Sequence, residues 1–168
     1  AGGGAAPGRP VAGPVGFPAY FVAALGAREG VTGAQAGEGA DELFFGYPSW
    51  RTLLRLQRAS DLPVPGKRLG LAALRAAGQE TKRPYEYLRR GAEGVPVFWG
   101  GAEAFTEEQK QRLLSPRLRR ELDGLTSWDA LAPIRAQFEA AAWEPSHVNW
   151  MSYLDLRLRL PELLLMRI

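Results

Sequence analysis

The chain has 168 residues, of which 46% are hydrophobic and 23% charged, and its formal net charge is +3 at pH 7. This composition is ordinary for one globular domain, and it excludes disulfides, thiolate metal sites and thiol nucleophiles because there is no cysteine. The single histidine, His147, cannot build a histidine-rich metal centre. No apolar run approaches the roughly 20 residues that span a bilayer, and the N-terminus lacks a signal-peptide pattern, so we expect a cytoplasmic protein without a membrane partner.

The chain begins with a segment at 1–16 that is rich in Gly, Ala and Pro, which predicts an irregular N-terminal stretch. The rest, 17–168, is expected to form one domain. Pro18 suits the first turn of a helix, and Gly30 suits its end. The following residues, 30–36, predict a short strand.

From residue 41 onward the pattern is mostly helical. Helix starts are predicted where Ser, Thr or Pro stands before a periodic apolar run: Pro48, Thr106, Ser115, Ser127 and Ser146. Pro161 is expected to break the last helix. The apolar residues at 95–99 fit either a strand or a buried loop, because their periodicity does not separate the two. The sequence therefore predicts a mostly α-helical fold with one short strand.

Three carboxylates stand beside two glycines in the stretch Gly37–Tyr47, between the predicted strand and an aromatic helical run. A strand, a tight Gly turn and a helix start together aim backbone N–H groups at an anion such as phosphate. The carboxylates suit a Mg²⁺ ion carried with that phosphate. Acidic residues are also favoured in the first turn of any helix, so the spacing alone leaves a purely structural role open.

The common nucleotide and nucleic-acid motifs do not fit. Glu42 occupies the third Gly position of a dinucleotide fingerprint, and Lys67 lacks the Gly and the Ser or Thr that surround a P-loop lysine. The basic residues are spread along the chain and interleaved with acids, so no nucleic-acid partner is expected. Arg51, Arg55 and Arg58 share a helix face, which is typical of a solvated surface more than of a phosphate site.

Two stretches resemble the synthetase domain of the glutamine-hydrolysing asparagine synthetases. Gly37–Phe44, followed by Gly46–Tyr47, is similar to the family signature Ser-Gly-Glu-Gly-x-Asp-Glu-Leu/Val-Phe-Gly-Gly-Tyr. The run from Tyr153 to Ile168 is similar to the family's Asp-Leu-Lys…Leu-Pro-x-x-Leu-Leu segment. Arg9–Pro14 is similar to a Pro-x-Ala-Asp-Pro stretch. Because the matches keep the family's order, the chain is identified as an internal fragment of that domain.

The resemblance implies a partial α/β domain of the PP-loop, adenine nucleotide α-hydrolase-like class. It also implies an ATP-dependent carbon–nitrogen ligase, with ATP and Mg²⁺ as cofactors. Such an enzyme adenylates aspartate, releases pyrophosphate and then adds ammonia, which a separate glutaminase domain supplies. Carried over by position, Ala36 and Gly37 would contact the nucleotide, Glu38 would act in proton transfer, and Asp41 would hold Mg²⁺–pyrophosphate. A carboxylate base and a metal-neutralised leaving group suit adenylation followed by ammonia attack.

This sequence departs from the family pattern beside the implied site. Ala36 stands where the family has Ser, and Phe45 replaces the first Gly after Phe44. The chain contains no Ser-Gly-Gly-x-Asp-Ser loop and no Cys nucleophile of a glutaminase, so we expect it to be inactive alone. A non-catalytic helical interaction module derived from the family stays open as the alternative. Homo-oligomerisation is also open, because exposed apolar faces promote association.

Overall fold

The computed structural model describes residues 16–35, 37–60 and 63–165, and this part of the chain is mostly helical, as the sequence predicts. None of the described helices combines the length and the apolar composition that crossing a bilayer requires. The predicted irregular segment at 1–16 lies outside the described residues except for Gly16, which begins the first helix. The helices run in the order α1 (Gly16–Arg28), α2 (Ala40–Phe44), α3 (Pro48–Ser60), α4 (Val64–Ala76), α5 (Arg83–Ala92), α6 (Glu107–Leu113), α7 (Pro116–Glu121), α8 (Ser127–Ala141), α9 (His147–Leu154) and a C-terminal π-helix (Asp155–Leu164).

Several helices begin at the caps that the sequence predicts. At the start of α6, the Thr106 hydroxyl accepts a hydrogen bond from the Gln109 backbone N–H, and the Gln109 side chain accepts one from the Thr106 N–H. This reciprocal pair is a capping box and satisfies two N–H groups that the helix itself cannot bond. Ser115 and Ser146 cap α7 and α9 with a single hydrogen bond each, which the serine hydroxyl accepts from a backbone N–H.

Two predicted helix boundaries are wrong. The cap of α8 is Thr126 and not Ser127, because the Thr126 hydroxyl accepts from the Trp128 N–H and Asp129 completes a second capping box. Pro161 does not break the last helix but lies inside the π-helix. In a π-helix each N–H bonds five residues back, so the carbonyl that a proline ring meets in an α-helix is displaced.

The predicted strand does not form. Val31–Gln35 has no regular secondary structure, and no other described residue lies in a strand that could pair with it. A strand needs such a neighbour to satisfy its backbone groups. The Val31 N–H instead donates to the Gly26 carbonyl at 2.9 Å, next to Gly30 with φ 81°. The C-terminal end of α1 therefore satisfies the first backbone N–H of the expected strand.

The core is largely aromatic and lies between α3, α8, α9 and the loop at 95–99. Trp150 is fully buried, and its ring packs on Phe138 at 5.6 Å between centroids. Burial of one such side chain contributes roughly 1.5–3 kcal/mol. The buried members of this cluster are Trp50, Phe98, Trp99, Leu131, Phe138, Trp150, Met151 and Leu154.

The apolar stretch at 95–99 is a buried loop, and side chains satisfy its backbone. The Val97 N–H donates to the Gln57 side chain at 2.8 Å, and the Val97 carbonyl accepts from Arg90 at 2.7 Å. The Trp150 indole N–H donates to the Phe98 carbonyl at 3.1 Å. A buried backbone must find partners, and here three helices supply them in place of a neighbouring strand.

A buried ion cluster ties α5 to the segment before α6. The Arg90 side chain donates to Glu86 at 2.9 Å and to Glu103 at 3.0 Å, and its guanidinium lies 3.8 Å from the ring centre of Trp99. Burial alone would raise the pKa of Glu86, but the hydrogen bond from Arg89 and the charge of Arg90 outweigh it and hold that pKa below its usual range.

Lys67 is a structural residue. Its ammonium donates to the carbonyl of Gly91 at 2.8 Å and also to the carbonyl of Ser60. Both carbonyls lie at helix C-termini, where a positive charge complements the helix dipole. This buried lysine therefore joins the ends of α3 and α5.

Candidate functional site

The glycine-rich stretch forms a short helix between two left-handed residues. Gly39 precedes α2 with φ 95°, and Phe45 ends it with φ 59° and ψ 39°. The helix has only five residues, so the motif is a tight turn more than a long helical run. Sequence reasoning extends this helix to Tyr47, but the left-handed residue stops it earlier.

The implied site residues are exposed where the structure describes them. Gly37 and Glu38 precede α2 and are exposed, and Asp41 is exposed in its first turn. Ala36 lies outside the described residues. Within the described ranges, no group of three Asp, Glu or His side chains could hold a metal ion alone. Asp41 therefore supplies one hard oxygen donor, which fits Mg²⁺ carried by a phosphate ligand better than a metal held by protein alone.

The Asp41 carboxylate lies directly against the backbone of Gly46. A Cβ built on Gly46 would lie 2.0 Å from Asp41 Oδ1, and the Gly46 N–H donates to the Asp41 carbonyl at 2.9 Å. Any side chain at 46 would displace the carboxylate. Glycine at this position therefore sets where the Asp41 oxygens lie.

Phe45 occupies a backbone conformation that suits glycine. Among the described non-glycine residues it alone has a positive φ, 59°. A left-handed conformation costs a residue with a Cβ roughly 1–2 kcal/mol. Its ring lies 6.1 Å from the Trp50 ring, and this contact offsets part of the cost.

Glu42, next to Asp41, is the buried anchor of the motif. The side chain is 1% exposed, and its Oε1 accepts a hydrogen bond from the Tyr47 hydroxyl at 2.5 Å. Arg159 Nη1 lies 4.0 Å from the same oxygen, and its guanidinium lies 4.3 Å from the Tyr47 ring centre. Burial and the hydrogen bond to Glu42 both raise the pKa of Tyr47, so the hydroxyl stays protonated and donates.

The π-helix supplies the other half of this network. Asp155 is buried, accepts from the Gly101 N–H at 2.7 Å and pairs with Arg159 at 3.3 Å. Burial raises the pKa of Asp155, and the Gly101 hydrogen bond and the Arg159 charge only partly oppose it. A Cβ on Gly101 would lie 2.5 Å from Asp155 Oδ2, so the loop comes this close only because it has no side chain.

A third contact fixes α2 against α9. The Ser152 hydroxyl donates to the Glu42 carbonyl at 2.7 Å, across 110 residues of sequence. The sequence alone assigned no role to Ser152, Tyr47 or Arg159. The available signal was Asp155 followed four residues later by Arg159, a spacing that places opposite charges on one helical face.

A cavity of about 270 Å³ opens beside this network. Tyr47 and Arg159 form one side of it, and Arg83, Tyr87 and Glu103 lie along its other walls. Its lining is polar and aromatic. The network is therefore accessible from a cleft in the helical part of the molecule.

Comparison with known proteins decides the family. The family model described as asparagine synthase matches residues 6–167, which is nearly the whole chain and includes both stretches that meet in the Glu42–Arg159 network. This chain belongs to the asparagine synthase family. The synthetase domain of that family has an α/β PP-loop fold, and the described residues are a mostly helical part of it.

Curated relatives carry the same family name. Proteins called putative asparagine synthetase (glutamine-hydrolysing) from Mycobacterium tuberculosis and Mycobacterium bovis are 36% identical over 148 residues, which is 88% of this chain and 21% of theirs. Asparagine synthetase (glutamine-hydrolysing) 1 of Bacillus subtilis is 39% identical over 106 residues, 62% of this chain and 16% of that protein. The chain thus spans about a fifth of the length of the mycobacterial relatives. No solved structure matches it.

Membership in the asparagine synthase family gives meaning to the two departures from the family signature. Phe45 stands at the first of the two glycines of the family signature, and it has the left-handed conformation that glycine adopts without strain. The family's second glycine is retained as Gly46, where the Asp41 carboxylate leaves no room for a Cβ.

Proposed function

We propose that this chain is the part of an ATP-dependent asparagine synthetase that presents the Glu38 and Asp41 carboxylates to Mg²⁺–pyrophosphate and the adenylated acid. The observation that carries the proposal is that the carboxylates of the motif differ in burial. Glu42 is buried and held by Tyr47, whereas Asp41 and Glu38 beside it are exposed. The buried carboxylate fixes the turn, and the exposed ones are free to meet a ligand.

The residues have distinct roles in this proposal. Asp41 lies at the start of α2 and would hold Mg²⁺ through a carboxylate oxygen, and the metal would neutralise charge on the leaving pyrophosphate. Gly37 has open space around its Cα, so its backbone N–H can approach a phosphate or ribose oxygen, and Ala36 would lie beside it. Glu38 would accept a proton from the attacking ammonia as the amide forms.

The surrounding network positions these groups. Ser152 and Arg159 hold α2 through the Glu42 carbonyl and carboxylate, so a ligand at Asp41 meets a turn that is already ordered. Preorganised groups lose little freedom when a substrate binds. Aspartate as the acceptor acid, ATP as the activating nucleotide and ammonia derived from glutamine belong to this proposal. We expect that the 168-residue chain does not complete the whole reaction by itself.

A non-catalytic role has one observation in its favour. The hydroxyl of the family's Ser is absent at Ala36, and Phe45 places a ring at the turn. If these changes block the ligand, the chain is a helical module that has kept the fold of the motif without its chemistry.

The test measures Mg²⁺–pyrophosphate binding to the chain by isothermal titration calorimetry. We compare the parent with Asp41→Asn and with Asp123→Asn, an exposed aspartate outside the motif, as the matched control. We expect binding in the parent and in the control, with about tenfold or greater loss in Asp41→Asn because a metal-ligating carboxylate is gone. Equal affinity in all three proteins, or no binding in the parent, would contradict the proposal and favour the non-catalytic module.

Aspartate-dependent exchange between ATP and pyrophosphate separates binding from chemistry. The exchange is measured with Mg²⁺ on the parent and on a Glu38→Ala, Asp41→Ala variant. We expect no exchange in either protein. Exchange in the parent alone would show that adenylation needs nothing beyond these 168 residues.

A further inference from the structure

Residues 43–79 carry a local excess of positive charge. This stretch has six basic residues and one acidic residue, Asp61, which gives a net charge of +5 although the whole chain carries only +3. The remaining residues together carry −2. Acidic residues are therefore sparse in this stretch. The six basic residues are Arg51, Arg55, Arg58, Lys67, Arg68 and Arg75.

Three of these residues form an arginine stripe, Arg51, Arg55 and Arg58, on the outer face of α3. All three are exposed. Their spacing of four and then three residues places them on one side of the helix within about 10 Å of axial length. Another face of α3 is anchored in the core by Trp50 and hydrogen-bonded through Gln57. The stripe is thus displayed on a helix that the core holds in place.

The arginine stripe is not neutralised within the described part of the chain. No described carboxylate lies within ion-pair distance of any of its three guanidinium groups. Two arginines of other helices do have such partners: the exposed Arg117 pairs with Glu121 at 2.8 Å, and the half-buried Arg135 pairs with Glu139 at 2.7 Å. The α3 sequence contains no acidic residue that could do the same. Its charge is therefore available to an outside partner.

We propose that the arginine stripe is a docking surface for an acidic helix of a partner protein. Arginine presents a planar fork of donors that matches a carboxylate with two hydrogen bonds. Glu or Asp side chains at matching positions, three or four residues apart, would line one face of a partner helix at the same axial spacing. Complementary charge of this kind speeds encounter and fixes register, and it is sensitive to salt.

Other polyanions fit this surface less well. Trp50, the only aromatic residue of α3, is buried, so the face has no ring on which nucleic-acid bases could stack. Leu56 is the only large apolar side chain exposed on the helix, at 36%, and one such residue does not make the broad apolar face that inserts into a membrane.

The test uses the 168-residue chain and a labelled synthetic helical peptide with Glu at positions i, i+4 and i+7 in an Ala/Gln background. Binding is followed by fluorescence anisotropy at low salt, with the Gln version of the peptide as the ligand control. The variant is Arg51→Gln, Arg55→Gln, Arg58→Gln. The matched control removes three exposed arginines of α7, Arg117→Gln, Arg119→Gln, Arg120→Gln, and changes net charge equally.

We expect the α3 variant to lose about fivefold or more in affinity for the Glu peptide, while the α7 variant stays within about twofold of the parent. An Arg→Glu version of the stripe should instead bind the corresponding Lys peptide, which shows that the variant is folded and the surface specific. Equal losses in both Gln variants, or equal binding of the Glu and Gln peptides, would overturn the proposal. Tighter binding to a DNA duplex or to phosphatidylserine vesicles of equal charge concentration would overturn the choice of partner.

Discussion

The N-terminal region (Gly16–Phe45) and the helical body (Pro48–Leu164) bury different kinds of side chain. In the helical body most aromatic residues are buried or half-buried, and Trp150 is 0% exposed; Phe105 and Trp143 are the exceptions among the described residues. In the N-terminal region the aromatic residues are outside, and Phe44 is 79% exposed. The large apolar side chains exposed in that region are Phe17, Tyr20, Phe21, Val22, Leu25, Val31, Leu43, Phe44 and Phe45.

The N-terminal region is held to the body chiefly by polar contacts, with one ring contact between Phe45 and Trp50. Among the described residues of α1 and α2, Glu42 alone has a buried side chain, and its partners are Tyr47, Ser152 and Arg159. The family's domain is α/β, and a sheet covering α1 and α2 would bury their apolar residues. The candidate site therefore lies at the junction between a body that packs on itself and a region with unpartnered apolar faces.

The largest effect should come from the core of the helical body. Trp150→Ala removes a fully buried ring and its hydrogen bond to the Phe98 carbonyl. We expect a loss of about 4 kcal/mol in the free energy of unfolding, because the cavity cannot close fully. Urea denaturation followed by far-UV circular dichroism measures it. Phe44→Ala, an equally drastic truncation in the N-terminal region, should change the same quantity by about 0.5 kcal/mol or less. Similar losses in both variants would show that the two regions do not differ as described.

The next effect tests the buried ion cluster of the body. Arg90→Met would leave Glu86 and Glu103 without their shared cation, and Glu86 is 0% exposed. Glu86 keeps its ion pair with Arg89 at 2.7 Å and Glu103 keeps Arg83 at 3.0 Å, so we expect a loss of about 2 kcal/mol in the free energy of unfolding, less than a fully unpaired buried charge would cost. The double variant Glu86→Gln, Arg90→Met should recover part of this loss, because the buried carboxylate that has lost one of its two cations is then replaced by a neutral amide. A double variant less stable than Arg90→Met would contradict this account.

Local sequence signals predicted the helical body better than they predicted the candidate site. Helix caps depend on residues three apart, so Thr106 and Gln109 could be paired from the sequence. The loop at 95–99 could not be assigned, because the groups that satisfy it, Gln57 and Trp150, lie about 40 and 50 residues away. The position of 30–36 before a glycine turn predicts a strand, but strand formation depends on a pairing partner that local sequence does not show.

The sequence likewise shows one part of the candidate site and not the other. The motif containing Asp41 and Glu42 was visible, and the resemblance identified the family. The spacing gave no reason why Glu42 should be buried while Asp41 is exposed, since both lie in the first turn of α2. That difference arises from Arg159 and Ser152, which approach from the far end of the chain.

A smaller effect should appear at the polar junction itself. Arg159→Met removes the cation beside Glu42, Asp155 and the Tyr47 ring, and we expect a loss of about 1 kcal/mol in the free energy of unfolding because the site is partly exposed. The more specific result is local. Hydrogen exchange of the amides at 43–46 should become severalfold faster, because α2 loses one of its anchors while the helical body stays protected.

The control for this variant is Arg157→Met. Arg157 lies on the same π-helix, is exposed and donates only to the Tyr153 hydroxyl among the described residues, so its removal should leave exchange at 43–46 unchanged. Arg159→Lys keeps a positive charge near Glu42 and should restore part of the protection. Uniformly faster exchange across the molecule in Arg159→Met would show a global effect in place of a role at the junction.

The pH dependence of stability separates two buried carboxylates with opposite behaviour. The pKa of Glu86 is lowered in the folded protein, because Arg89 and Arg90 outweigh its burial, so its contribution is present above about pH 4.5 and is lost as pH falls. The pKa of Asp155 is raised, so its ionised form reduces stability as pH rises. Urea midpoints between pH 3 and pH 7 should fall less steeply toward acid in Glu86→Gln than in the parent. Parallel curves would show that Glu86 does not carry this dependence.

The smallest effect on stability is expected for Phe44→Ser. This variant tests whether the exposed apolar side chains of the N-terminal region affect association without affecting folding. The ring is mostly exposed, so its removal should leave the free energy of unfolding within about 0.5 kcal/mol of the parent. It should nevertheless reduce the binding of the dye ANS and lower the apparent mass in light scattering, because exposed aromatic surface drives association. Leu122→Ser, at an exposed leucine of the helical body, is the control and should change neither readout as much. Since an uncovered face alters association without altering folding, a clear loss of stability in Phe44→Ser would mean that this ring is already packed against the chain.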